Sequence, residues 1–223
     1  VGDADQFIKR IFLDETARAT GDAAAFAQAP EIATPSLTPD GILTLLAATA
    51  DGADLAAPWT LFEYRAVLDF KMEGDHVDRY VLARVELRRQ AAWVHHLERE
   101  RPKGAEAQPG RYATVVVAPH LPDWLTDREE LGPLTVTHTA PGCYTITPRD
   151  HPVVWVAAND LPLHPSLVPF LWARSGRPMV RFARWLAGQR GVAAVVAVIQ
   201  SHPIGSPDHP PAHQNAGRTR ARA

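Results

Sequence analysis

Residues 112–118, Tyr-Ala-Thr-Val-Val-Val-Ala, form an unbroken β-branched run in the middle of the chain. A strand with one wet face alternates apolar and polar side chains, whereas a continuous apolar run marks a strand buried on both faces. Burying both faces takes a layer on each side of the sheet, and helices are the usual covering. This one segment therefore selects an α/β architecture.

The neighbouring segments agree with it. Residues 3–20 predict a helix, with Phe7, Ile8, Ile11, Phe12 and Glu15 at helical spacing and Gly21 as a stop signal. Residues 27–39 read as a Pro-containing connection, 41–47 as a short strand, and 49–58 as a loop carrying Asp51-Gly52. The clearest alternating strand is 64–72, with Ala66, Leu68, Phe70 and Met72 on one face and Arg65, Val67, Asp69 and Lys71 on the other. Asp75 or Asp78 is placed to cap a long helix over 79–100. Its expected buried stripe is Tyr80, Ala83, Leu87, Ala91, Val94 and Leu97. A break at 102–110 precedes the β-branched run, and strands are expected at 134–139, 144–147 and 153–158. A helix at 165–186, interrupted near 176–178, and an apolar helix at 192–200 complete a single domain over 1–200. Pro, His, Asn and Arg dominate 201–223, which reads as a flexible tail.

Composition removes several function classes. At 223 residues, 46% hydrophobic and 22% charged, the chain suits one globular domain that needs no covalent staple. Cys143 is the single cysteine, so there is no intrachain disulfide and no cysteine zinc cluster. No stretch approaches the roughly 20 apolar residues of a membrane span. The opening Val1-Gly2-Asp3-Ala4-Asp5 has no basic and then apolar pattern of a secretory signal, so a cytoplasmic location is expected. There is no glycine-rich phosphate loop, and neither Ser166 nor Ser175 sits in a nucleophile elbow. The net charge of -2 means that nucleic acid would have to meet a local basic face.

Two short motifs carry the chemistry. Asp69 and Lys71 lie two apart on a strand, so they share a face with Cα atoms about 6–7 Å apart. Lysine is scarce here: among 23 basic residues only Lys9, Lys71 and Lys103 are lysines. Pro39-Asp40 stands at the start of the preceding strand. If the strands at 41–47 and 64–72 are antiparallel neighbours, the default for consecutive strands, Asp40 comes to rest beside Asp69 and Lys71.

Pro39-Asp40 followed by Asp69-x-Lys71 resembles the signature of the PD-(D/E)XK, or restriction-endonuclease-like, nuclease superfamily. The flanks are most similar to its recombination-promoting nuclease and transposase-like branch. The resemblance rests on the opening helix with Asp5-Gln6-Phe7-Ile8-Lys9-Arg10, the long helix at 79–100, the strand at 114–118, the segment at 153–163 and the helix at 167–186. It implies a central mixed β-sheet flanked by helices in the order αβββαβ, with extra C-terminal helices. It also implies a divalent-metal-dependent endonuclease acting on DNA, linked by analogy to recombination or mobile elements. Asp40 and Asp69 would then ligate Mg²⁺ or Mn²⁺, and Lys71 would be the catalytic base. Glu15 and Gln90 are accessory candidates, and Arg79, Arg84 and Arg88 are candidates for a phosphate-backbone groove.

Plainer readings compete with each of these. Asp69 and Lys71 could be an ordinary ion pair, and Pro-Asp-Gly at 39–41 an ordinary turn. Asp75 and Asp78 suit a helix N-terminus better than a metal, and His95-His96 lack zinc-pair spacing. The arginines at 79, 84, 88 and 89 could be solvated helix charge offset by Glu86. Tryptophans such as Trp172 and Trp185 suit a core, with a homodimer contact as the other use. The alternatives to a nuclease are a catalytically inactive protein of the same fold used for binding, and an unrelated α/β interaction protein.

Overall fold

The computed structural model describes residues 3–21, 24–28, 39–45, 55–61, 65–75, 77–99, 112–127, 132–147 and 151–201. The loop at 49–54, the break at 102–110 and the tail at 202–223 lie outside the described residues. The chain opens with helix α1 (Asp3–Thr20), then strands β1 (Ala24–Gln28), β2 (Gly41–Leu45) and β3 (Arg65–Phe70). Helix α2 (Tyr80–Arg99) and strand β4 (Tyr112–Ala118) follow. Next come β5 (Thr135–Ala140), β6 (Cys143–Thr147) and β7 (Val153–Ala157), and the short α3 (Val168–Leu171), α4 (Gly176–Arg190) and α5 (Val192–Ser201) end the described chain.

All seven strands form one mixed sheet in the order β1-β2-β3-β4-β7-β6-β5. The first three are an antiparallel meander, with Gly41 opposite Leu68 and Ile42 opposite Val67. Strand β3 then runs parallel to β4, and α2 supplies the crossover that a parallel pair requires. Strand β7 is parallel to β4 on its other side, and β6 and β5 turn back antiparallel. The β-branched run is thus a central strand, as its sequence demands. Val115 and Val117 face one buried cluster, and Val116 and Ala118 the other.

On the first face α1 presents Ile8, Ile11 and Phe12 to Leu43, Ala66, Leu68 and Phe70, joined by Phe170 and Phe182. On the opposite face α2 presents Val81, Val85 and Ala92. This corrects the expected stripe of α2, since Tyr80 is 73% exposed and Leu87 and Val94 are also exposed. The helix turns inward along 81, 85, 88/89 and 92, a row that includes two arginines. Charged residues in that row hid it from a purely apolar count, and each has a carboxylate partner described below.

The residues at 24–28 do not read as a strand, and 27–28 fall in the expected connection; only the resemblance implies a third strand before α2. Ala-Ala-Phe-Ala-Gln has little β propensity, and its place is secured by Phe26, which packs edge-on against Phe12 at 5.1 Å. The C-terminal helix breaks at 172–175, slightly before the expected point. There Arg174 donates to the Ala158 carbonyl at 2.9 Å, and Ser175 N–H donates to Asn159 Oδ1 at 3.0 Å. Helices α4 and α5 meet at 118° about Gly191, which has φ 81°. Among the described residues no single helix is long and apolar enough to cross a membrane.

Cys143 is fully buried in β6, and burial pushes its thiol up to about 12. The thiolate is the reactive form, so the folded protein is expected to resist an aromatic disulfide reagent at neutral pH and to release one thiol equivalent only when unfolded. Rapid labelling of the native chain would contradict this burial.

Candidate functional site

The site forms where β2 begins and β3 ends. Along β3 successive N–H groups point to alternate neighbours, so Lys71 N–H reaches the Val117 carbonyl of β4 at 2.8 Å. Phe70 N–H points the other way, past the start of β2. Its acceptor is Asp40 Oδ2 at 2.6 Å, a side chain standing in for a strand carbonyl. Asp40 N–H in turn donates to the Leu68 carbonyl at 3.1 Å. Asp40 is therefore tied to the residue that separates Asp69 from Lys71, and the antiparallel pairing of β2 and β3 expected from sequence holds.

Gly41 is more than a turn residue. A Cβ there would lie 2.0 Å from the Phe26 ring, so glycine lets β1 close over the strand start that carries Asp40. The same packing aligns the Pro-Asp segment with β3 and not with a free turn.

Asp69 is buried with 0% exposure, and Lys71 Nζ sits 2.7 Å from its Oδ2. Its other oxygen, Oδ1, takes the guanidinium of Arg88 from α2. Asp40 Oδ1 takes Lys9 Nζ from α1 at 2.9 Å. Asp40 thus has one cation, from α1, and Asp69 has two, one from α2 and one from just past β3. The paired charges explain how Asp69 tolerates full burial, because an isolated buried carboxylate would be very costly.

Sequence reasoning missed Lys9 in this role and placed Arg88 differently. The scarcity of lysine was a usable signal: Lys9 pairs with Asp40 and Lys71 with Asp69, and Lys103 lies outside the described residues. Arg88 was grouped with surface arginines, yet its side chain is only 17% exposed and turns to Asp69. Arg89 is also buried and pairs with Glu86. For Glu86, burial raises the pKa, but the Arg89 hydrogen bond and charge outweigh it and leave the group below its ordinary value. Arg79 and Arg84 are exposed, and Arg84 pairs with Asp78 at 2.8 Å.

The two accessory candidates are not brought to the cluster by the contacts described. Glu15 is buried on α1 and pairs with Arg190 at 2.7 Å and with Arg18. Six residues beyond Lys9, it sits roughly 9 Å further along the helix. Its arginine partners line a groove of about 390 Å³ with Leu186, Ala194, Val195 and Val198. Gln90 is exposed and donates to Glu86 at 3.3 Å.

Asp40 and Asp69 offer carboxylate oxygens, the donor type that a small hard cation takes, and all four of these oxygens already have protein partners. Among the described residues no group of three or more His, Cys, Asp or Glu side chains gathers as a metal cage. Two protein carboxylates with water completing the shell is the pattern for Mg²⁺. No family model, curated protein or solved structure matches the chain.

Proposed function

We propose that the chain is a restriction-endonuclease-like domain that hydrolyses phosphodiester bonds of DNA with a divalent cation. The observation that supports this reading is the Phe70 N–H bond to Asp40, at the strand end where Lys71 pairs with Asp69. The order α1-β1-β2-β3-α2-β4, with a parallel β3–β4 pair, supports it further. That is the helix, three strands, helix, strand sequence which the Pro-Asp and Asp-x-Lys motifs imply.

In this reading Asp40 and Asp69 would hold Mg²⁺ or Mn²⁺. The cation, when bound, would polarise the phosphoryl group and acidify a water. The chain's own residues do the rest. Lys71, with Nζ 2.7 Å from Asp69 Oδ2, would stabilise developing negative charge. Phe70 packs on Phe12 at 5.2 Å, which fixes the strand end that carries both charged residues. A role in recombination or mobile elements stays an analogy of the same reading.

A second reading has its own support. Asp69 is fully buried, and both of its oxygens already carry cations. A non-catalytic binding domain would keep such a closed ion-pair network for its shape alone.

Plasmid cleavage with Mg²⁺ or Mn²⁺ separates the two. Lys71→Ala is expected to cut about 10²–10³-fold more slowly than the parent, the cost of losing one charge-stabilising donor. Equal rates would remove Lys71 from the chemistry. No cleavage by either protein, over several DNA substrates, would favour the binding domain.

A further inference from the structure

The same residues that fit a cation are engaged by the protein's own cations, and one of these comes from a mobile kind of group on a different element. Arg88 reaches from α2 across to Asp69 Oδ1, while Lys71 holds Oδ2 from the strand that bears Asp69 itself. Both cations keep 17% of their side-chain surface exposed, whereas Asp69 has none, so approach to this carboxylate runs past one of them. Lys71 is fixed at its backbone by Val117. Arg88 is attached through a long side chain on a helix and can change partner without moving the sheet.

We infer that Arg88 is a built-in counter-ion that holds Asp69 in the resting protein and transfers to a phosphodiester oxygen when substrate arrives. The inference rests on the phosphodiesterase reading above. Arginine suits both partners, since its planar fork binds carboxylate and phosphate with the same two-point geometry. In the resting state the guanidinium and a divalent cation compete for one carboxylate, so each lowers the other's occupancy. A phosphate that draws Arg88 away removes the competitor. Cation binding and phosphodiester binding thereby become coupled, and the coupling must act equally in both directions. Arg88 is a positioning residue for Asp69 before it is a substrate contact.

The test is Mn²⁺ binding, followed by the paramagnetic signal of the free ion, with and without dimethyl phosphate as the smallest phosphodiester. If Arg88 holds Asp69 about nine-tenths of the time, Arg88→Met binds Mn²⁺ about tenfold more tightly than the parent. Dimethyl phosphate then tightens Mn²⁺ binding by the parent and leaves the variant unchanged. Arg88→Gln, which keeps an N–H donor for Asp69, serves if the methionine variant does not fold. Parent and variant with equal Mn²⁺ affinity, each lost on Asp69→Asn, would overturn the counter-ion role and leave the metal reading intact. Absence of Mn²⁺ binding in every variant would overturn the metal reading itself, and the inference with it.

Discussion

Asp69→Ala is expected to lower the unfolding free energy by about 3–5 kcal/mol, the cost of stripping one partner from a buried charge network. The substitution leaves Lys71 and Arg88 pointing at an empty, water-poor spot at the end of β3. For a chain of this size each kcal/mol corresponds to about 2–4 °C, so the melting temperature should fall by roughly 6–20 °C. Urea and thermal unfolding would measure it. The informative companion is the triple substitution Asp69→Leu, Lys71→Met, Arg88→Met, which removes all the charge together. Buried ion pairs often exchange for apolar groups at little or no cost, so this protein should recover most of the lost stability. Recovery would mean that the charges are kept for something other than holding the fold together. A single substitution costing less than about 1 kcal/mol would show that water reaches Asp69 freely, contrary to its burial.

Phe12→Ala is the largest expected loss among the apolar residues, again about 3–5 kcal/mol. Its ring has no exposed surface and packs edge-on against Phe26, Phe70 and Phe170 at 5.1–5.2 Å. Those contacts join α1 to β1, to the end of β3 and to α3, so the cavity would open where three elements meet and cannot collapse from one side. Equilibrium urea unfolding with an unchanged slope would confirm that the loss is native-state packing. A loss near that of an exposed position, within about 0.5 kcal/mol, would contradict this packing. Phe12→Leu, which restores much of the volume, should fall between parent and alanine variant.

Much of the architecture was legible because it follows from period. The alternation at 64–72 separates Leu68 and Phe70 from Val67 and Asp69 as the sheet does, and the β-branched run at 112–118 predicts a doubly buried strand. Antiparallel pairing of β2 and β3 was legible from adjacency in sequence alone. What failed has a common cause. Strand β1 and the inner row of α2 are set by tertiary partners, Phe12 for Phe26 and Asp69 for Arg88, that no local pattern displays. A helix face with Arg88 and Arg89 on it scores as polar, although both arginines are largely buried against carboxylates. The candidate site shows the same division. The spacing of Asp69 and Lys71 predicted their pairing, whereas the counter-ions Lys9 and Arg88 became visible only with the helices packed.

The backbone bond from Lys71 to Val117 has a consequence for the nascent chain. Lys9, Asp40, Asp69, Lys71 and Arg88 are all translated before the strand that holds Lys71 in line. In a growing polypeptide these groups can pair with one another first, but the backbone bond that holds Lys71 in line waits for Tyr112–Ala118 to join the meander. Fragments stopping short of residue 112 lack this anchor for Lys71.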